Sequence, residues 1–297
     1  MIEFRQLRYF AILAEELHFS RAARRLNLSQ PPLTQQIQNL ERVLGVKLFL
    51  RNTRSVQLTE PGRAFLERVR VIIDETERAV AIAKASAKGE EGHLVIGHAA
   101  PADLQMVPHL ISRFSAQFPN VRLTLHSLRG AELLRALQAE TIQVALLRAP
   151  VQTPRLASLT LTHERLVAVV PSRHPLANET KTSFARLASE SIIFFPRSLA
   201  PTYFDTVARL CSELGGFVFA PKQEVETSQT AIALVAANMG ISLQPTSIKV
   251  LRREGVEYLD LIDCPRCVEL AAAFREDDAS PILRNFLGVI ETRDFDD

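Results

Sequence analysis

Ser20-Arg-Ala-Ala-Arg-Arg-Leu-Asn-Leu-Ser-Gln-Pro-Pro-Leu-Thr-Gln-Gln-Ile-Gln-Asn-Leu-Glu41 decides the fold of the N-terminal part of this chain. It reads as two short helices joined by a tight turn. Ser20 is the expected N-cap of the first helix and Ser29 of the second, because a hydroxyl can accept a bond from an unpaired amide. Ala22, Ala23 and Leu26 face inward. Asn27 suits the turn, since Asn tolerates left-handed backbone angles. Pro31 and Pro32 fall in the first turn of the second helix, where a missing amide hydrogen costs little. Leu33, Ile37, Leu40 and Leu44 form one apolar stripe, and Gln30, Thr34, Gln35 and Gln38 lie off it. A helix whose first half carries small polar residues and glutamines faces something polar. This is the layout of a helix-turn-helix, whose second helix enters the major groove of DNA.

The flanks extend the pattern. Leu7, Phe10, Ala11, Ala14 and Leu17 recur at three and four, so a helix is expected over about 3–17. Gly45 should stop the second helix of the motif. Leu48-Phe49-Leu50 and Val56-Gln57-Leu58 read as short strands, and the loop between them carries Arg51 and Arg54. Two arginines at a hairpin tip make a wing suited to phosphates or the minor groove. Residues 1–58 hold nine Lys/Arg against four acids, whereas the remainder holds 26 against 29. A basic head on a mildly acidic body is the footprint of a DNA-binding module joined to a separate domain.

Residues 59–88 read as a connector. Thr59 is a helix cap, and Phe65, Val69, Ile72 and Thr76 begin a spacing of four and three that continues through Ala79, Ala83 and Ser86. Leu66, Ile73, Val80 and Ala87 run beside it. A long helix with a two-row seam wants a partner helix, so Phe65, Val69, Ile72 and Ile73 are the candidate dimerisation residues. Packing on its own domain is the alternative. Lys88-Gly-Glu-Glu-Gly92 reads as a flexible hinge and domain boundary.

From His93 onward strands and helices alternate. Strands are expected at 93–97, 121–127, 142–147, 166–170, 191–195, 241–243, 258–262 and 268–274. Helices are expected at 104–118, 130–139, 202–214, 228–238 and 280–292. This alternation implies parallel sheets with right-handed crossovers. Parallel sheets bind ligands beyond the carboxyl ends of their strands, often at helix N-termini. The strand ends here offer His98, Ala99 and Pro101, then Ser127 and Gly130, then Arg148, then Thr202 and Tyr203, then Thr227 and Ser228. Arg148 directly follows an apolar strand, where a guanidinium can take a carboxylate with two parallel bonds. Surface pairing is the alternative for Arg148, and helix capping for Thr202, Thr227 and Ser228.

The chain resembles the LysR-type transcriptional regulators. The matching residues are Leu7-Arg8-Tyr9-Phe10, Ser20, Ala22-Ala23, Leu28-Ser-Gln-Pro-Pro-Leu-Thr34, Gln36-Ile37, Leu40-Glu41, Leu44-Gly45, Leu48-Phe49, Arg51, Arg54, Leu58-Thr59 and Gly62. Val235-Ala-Ala-Asn-Met-Gly-Ile-Ser-Leu-Gln-Pro245 carries a weaker match further on. The resemblance implies DNA contacts from Ser29, Gln30, Pro31, Pro32, Thr34 and Gln35, the last standing where the family usually has Arg or Ser. A neutral amide there matches adenine better than guanine. It also implies an all-α winged helix-turn-helix (1–58), a linker and dimerisation helix (59–88) and an α/β effector domain (89–297). That domain would hold two Rossmann-like subdomains, similar to periplasmic binding proteins, at about 92–163 with 268–297 and at about 164–267. The nearest members sense muconate, benzoate or chlorocatechol-pathway metabolites. Their ligand positions correspond to Pro101, Gly130, Arg148 and Tyr203. Pro101 and Gly130 replace hydroxyl residues, which turns attention to His98 and Ser127 for polar contacts. Implied partners are double-stranded promoter DNA, an anionic effector, a second copy in a dimer of dimers, and RNA polymerase.

Other classes fit less well. There is no G-x-G-x-x-G, no G-x-x-x-x-G-K, no G-x-S-x-G and no H-E-x-x-H, so no catalytic residue, metal or cofactor is expected. No apolar run approaches the roughly 18 residues of a membrane span. Nor is there a signal-peptide block, and a cytoplasmic protein is expected. Cys211, Cys264 and Cys267 do not suggest a disulfide framework. Cys264-Pro-Arg-Cys267 reads as two loop cysteines, with redox sensing or metal binding left open. A regulator responding to a non-aromatic metabolite or to redox state, an α/β enzyme, and a ligand-free architectural DNA binder remain the alternatives.

Overall fold

Helix α1 (Phe4–Glu16) forms where the three-four spacing predicts it. The computed structural model describes residues 1–51, 55–99, 106–151 and 153–292. These divide into two compact units, Met1–Ala85 and Ser86–Asp297. In the first unit α1 is followed by α2 (Phe19–Arg25), α3 (Gln30–Leu44), the antiparallel pair β1 (Phe49–Arg51) and β2 (Val56–Leu58), and the 28-residue helix α4 (Glu60–Ala87). Phe10, Leu13, Leu33, Ile37, Leu40 and Leu48 are fully buried at its centre. Each such side chain contributes about 1.5–3 kcal/mol over exposure.

Local signals set the turns. Asn27 takes a φ of 56° and Gly45 a φ of 73°, closing the α2–α3 turn and ending α3. Thr59 caps α4 by accepting the Gly62 amide at 2.9 Å. A side chain on Gly62 would run into the Leu48 carbonyl, so glycine lets α4 approach the wing closely. The cap of α2 differs from expectation. His18 fills it, its Nδ1 accepting from Arg21 N at 3.4 Å, and Ser20 lies inside the first turn. Phe19 packs edge-on against Phe49, with centroids 6.4 Å apart, which draws the helix start forward.

The seam of α4 also differs. Val69 is fully buried within its own unit, and Phe65 stacks on Phe10 at 5.1 Å. Leu66 and Ile73 pack on the same core. Phe65, Val69 and Ile73 therefore hold α4 to the winged domain, because the first turns of α4 roof that small core. Ile72 remains exposed, with Val71, Val80 and Ile82.

The second unit opens on Gly89, which is pinned rather than free. Its φ is 70°, and Asn285 Nδ2 donates to the Lys88 and Gly89 carbonyls at 2.9 and 3.1 Å. The expected glycine hinge is thus a packed turn. Five strands form one sheet in the order β4-β3-β5-β13-β6: β3 (Glu91–His98), β4 (Asn120–Ser127), β5 (Val144–Arg148), β6 (Leu156–Glu164) and β13 (Val268–Arg275). Helices α5 (Met106–Gln117), α6 (Gly130–Gln138) and α9 (Pro281–Glu291) belong to this half. A second sheet runs β11-β7-β12-β8, from β7 (Leu166–Pro171), β8 (Lys181–Thr182), β11 (Ser242–Pro245) and β12 (Val256–Leu261). A short parallel pair, β9 (Ile193–Phe194) with β10 (Gln223–Glu224), and helices α7 (Pro201–Gly215) and α8 (Ser228–Ala236) complete that half.

The sheets are mixed, not parallel. β3, β4 and β5 are parallel, as their helical crossovers require. β13 runs antiparallel to β5 and β6, because it returns from the other half of the chain. β7 is antiparallel to β11 and β12. The chain crosses between halves at 164–166 and at 262–267.

Candidate functional site

The exposed side of α3 begins at its N-terminus. Gln30, Pro31, Pro32 and Gln35 are exposed and Thr34 half-exposed, opposite the buried Leu33, Ile37 and Leu40. Ser29 sits at the N-cap position, but its side chain makes no capping bond. Ser20 Oγ donates to Gln30 Oε1 at 2.7 Å, so α2 orients the first side chain of α3 and leaves the Gln30 amide nitrogen outward. Thr34 Oγ1 donates to the Gln30 carbonyl at 3.1 Å. Gln36 is not part of this face, since it accepts from Gln6 Nε2 at 3.0 Å.

Arg51 is placed differently from the sequence expectation. Its side chain is 28% exposed, 3.6 Å from Glu41, and its guanidinium lies 4.8 Å from the Phe19 ring. It braces the wing from within rather than reaching out as a free cation. Arg54 lies outside the described residues. The residue that sequence reasoning missed is Glu41. It is 3% exposed, and Oε1 accepts the Leu48 and Phe49 amides at 3.0 and 3.3 Å. Burial pushes its carboxyl up. The Lys47 hydrogen bond, the two amides and Arg51 outweigh that and hold it below the usual carboxylate range. Its position four residues after Ile37 was the available signal.

The second unit gathers a different set. Arg148 ends β5, and its guanidinium carbon stands 3.6 Å from the centroid of Tyr203, in the first turn of α7. Tyr203 is 6% exposed and packs against Phe194 and Phe195, with centroids at 5.5 and 6.4 Å. Arg148 Nη2 and Tyr203 Oη are both buried and neither has a hydrogen-bond partner. Burial pushes the Tyr203 phenol up to about 12, against the nearby Arg148 charge. Two groups from different halves of this unit are thus stacked together and buried without a hydrogen-bond partner, at about 1–3 kcal/mol for each unmet group.

The other expected cleft residues separate into classes. His98 is buried at the end of β3, and its carbonyl accepts from Leu128 N at 3.0 Å. The Ala99 amide is taken by the Leu146 carbonyl at 2.9 Å. Ser127 and Thr202 are exposed. A side chain on Gly130 would meet open space. Thr227 caps α8, accepting from Thr230 N at 3.1 Å. Ser228 is not a free hydroxyl: it donates to Gln244 Oε1 at 2.9 Å, Gln244 Nε2 donates to Ser242 Oγ at 2.8 Å, and Ser242 Oγ donates to the Ile193 carbonyl at 2.8 Å. Pro101 lies outside the described residues. Arg129 Nη2 meets Glu226 Oε2 at 3.0 Å, joining the turns before α6 and α8.

Residues 4–63 match the model for the bacterial regulatory helix-turn-helix protein, lysR family, and residues 87–294 match the LysR substrate binding domain. The chain belongs to the LysR family. It is a DNA-binding transcriptional regulator with an effector-binding domain, not an enzyme. It is 37% identical to the transcriptional regulator TfdS of Cupriavidus pinatubonensis (strain JMP 134 / LMG 1197), over 97% of each chain. It is 33% identical to AlsR of Bacillus subtilis (strain 168), over 97% of this chain and 95% of AlsR. Among solved structures, CbnR, a LysR family transcriptional regulator, aligns with a TM-score of 0.91 at 30% identity, covering 97% of this chain and all of that one. Full-length CbnR complexed with its target DNA aligns at 0.87, with 29% identity and 98% and 99% coverage. The BenM effector binding domain with its effector benzoate aligns at 0.60, with 26% identity, over 68% of this chain and 91% of that domain. As in any LysR regulator, the two units are then a DNA reader and an effector domain. Among the described residues no helix is long and apolar enough to cross a membrane.

Proposed function

We propose that Arg148 and Tyr203 bind the carboxylate of a small anionic effector, and that this binding alters how the helix-turn-helix engages promoter DNA. The observation that carries the reading is the pair of buried, unpartnered donors, Arg148 Nη2 and Tyr203 Oη, on stacked side chains from two halves of one domain. A carboxylate accepts from both, and charge-assisted bonds are the strong ones. Phe194 and Phe195 beside Tyr203 favour an aromatic or unsaturated acid. The benzoate-bound BenM domain is a similar protein with such a ligand.

The reader face runs from Ser29 to Gln35, with Gln30 and Thr34 at bases. Like CbnR with its target DNA, the chain would insert α3 in the major groove. Ile72 and Val80, exposed on α4, would pair with a second copy, and two such pairs would assemble on one promoter alongside RNA polymerase.

The test is thermal stability of the full chain with benzoate, cis,cis-muconate and an uncharged amide analogue. A carboxylate should raise the melting temperature of the wild type and not of Arg148→Ala. Equal shifts in both proteins, or an equal shift with the uncharged analogue, would remove the anion site.

A further inference from the structure

Cys264 and Cys267 stand in the turn that carries the chain from β12 to β13, one of its two crossovers between the halves of the second unit. Their sulfurs are 3.9 Å apart and both are free thiols. The turn is tied to the other crossover. Cys267 N donates to the Glu164 carbonyl at 3.0 Å, and Leu166 N donates to Cys264 Sγ at 3.4 Å. Both thiols act electrostatically on Tyr203, so the pair lies beside the Arg148–Tyr203 stack. Cys264 is 3% exposed, whereas Cys267 is half-buried. The motif opens a strand, not a helix, so a thioredoxin-like placement does not explain it.

We propose that Cys264 and Cys267 form a redox modification site, which a peroxide closes to a disulfide that staples the β12–β13 crossover between the effector subdomains. The separation favours it: the Sγ–Sγ gap is 3.9 Å, against the ~2.05 Å of a bond. The two sulfurs share one proton through their hydrogen bond. The hydrogen bond from Cys267 brings the Cys264 thiol down to about 7 despite burial, and the Leu166 amide adds to it. Giving that bond pushes Cys267 up. Attack by Cys267, the accessible sulfur, therefore requires the shared proton to move to Cys264.

The chemistry balances in two steps. Cys267 Sγ attacks one peroxide oxygen, the O–O bond breaks, and hydroxide leaves and takes a proton as water. The sulfur becomes a sulfenic acid. Cys264 Sγ, whose proton that first hydroxide has taken, then attacks it as a thiolate, the S–S bond forms, the S–O bond breaks, and the departing hydroxide takes a proton from solvent and leaves as water. Two thiols and hydrogen peroxide give a disulfide and two waters. The sulfurs lose two electrons and the peroxide gains them. A dithiol reductant reverses the change. Cys211 takes no part, because burial, with Cys264 nearby, pushes its thiol up to about 12.

The full chain should be exposed to hydrogen peroxide and its thiols counted. Wild type should fall from three free thiols to one and lose the mass of two hydrogens, with a peptide linked through Cys264 and Cys267 and full recovery in dithiothreitol. Cys211→Ser should lose both of its thiols. Cys264→Ser should accumulate a sulfenic acid at Cys267 that dimedone traps. Hydrogen exchange over 262–268 should slow in the oxidised wild type. Three thiols surviving in wild type, oxygen adducts without a cross-link, a cross-link between chains, or unchanged exchange over 262–268 would each overturn the proposal. The thiol count does not depend on whether Arg148 holds an anion.

Discussion

Replacing Glu41 tests how the recognition helix fixes the wing. Glu41→Ala leaves the Leu48 and Phe49 amides without an acceptor, at residues 0% and 3% exposed. A buried amide without a partner costs about 1–3 kcal/mol, so the two together cost roughly 2–6 kcal/mol. The Lys47 contact adds little, since that side chain is 74% exposed. Glu41→Gln keeps an oxygen for the amides and loses only the charge, at about 1 kcal/mol. Amide hydrogen exchange at Leu48 and Phe49 reads this directly. Protection should fall at least about thirtyfold in the alanine variant and roughly fivefold in the glutamine variant, at tenfold per ~1.4 kcal/mol. A pH series adds a sign. The folded carboxyl is held below its ordinary value, so its contribution is complete above the ordinary glutamate range. It is lost as pH falls through the lower, folded value. Glu41→Gln should lack that acid-dependent loss. Equal losses in the two variants, or unchanged protection in Glu41→Ala, would refute the anchor.

Gln30→Ala should weaken the preferred operator by about 1–3 kcal/mol and leave random DNA nearly unaffected in a gel-shift titration; Ser20→Ala, which frees Gln30, should give a smaller loss in the same direction. Arg51→Ala should lower the thermal stability of the winged domain more than it flattens the salt dependence of binding, because Arg51 is engaged with Glu41 and Phe19. Ile72→Asp should shift sedimentation towards the monomer with the helical circular dichroism intact, whereas Val69→Asp, which buries a charge in the winged core, should unfold that domain. Arg148→Lys should recover only part of the carboxylate response lost in Arg148→Ala, since an ammonium cannot make two parallel bonds.

The reader was legible because its signals are local. Asn27, Gly45 and Thr59 each set their own turn, and the stripe Leu33, Ile37, Leu40 fixes which side of α3 is left for DNA. What sequence periodicity cannot assign is the partner of an apolar row. Val69 and Ile72 sit on adjacent faces of α4, and only the fold shows that Val69 faces its own core. Direction was hidden for the same reason. Apolar alternation reads alike in parallel and antiparallel strands, so β13 looked like another parallel strand until its return from the second half was visible. β6 is hard to read in sequence because a register shift at Leu161 breaks its alternation. Polar groups were hardest. Ser228 and Arg148 both stand at element ends, and nothing in the sequence says that the first is satisfied by Gln244 while the second has no acceptor.

On the carboxylate-binding reading, Arg148 Nη2 and Tyr203 Oη, two of the buried polar atoms without a partner, are the ligand-facing ones in the effector domain. The Ser228–Gln244–Ser242 chain ends on the Ile193 carbonyl, so each hydrogen bond in it stays within one half. Arg148 extends from the five-stranded sheet, while Tyr203 belongs to the half built around β7. An anion accepting from both gains its second bond only when the halves are correctly disposed. One charge-assisted bond contributes about 1.5–3 kcal/mol, which is a ten- to hundredfold bias between two dispositions. Allosteric couplings typically amount to about 1–3 kcal/mol, so this single bond suffices to bias the domain. The Arg129–Glu226 pair also spans the halves, but both side chains are about two-thirds exposed, and solvent screening leaves it little influence. On that reading the bias comes from the buried pair, and a ligand that touches Arg148 without reaching Tyr203 should bind without switching.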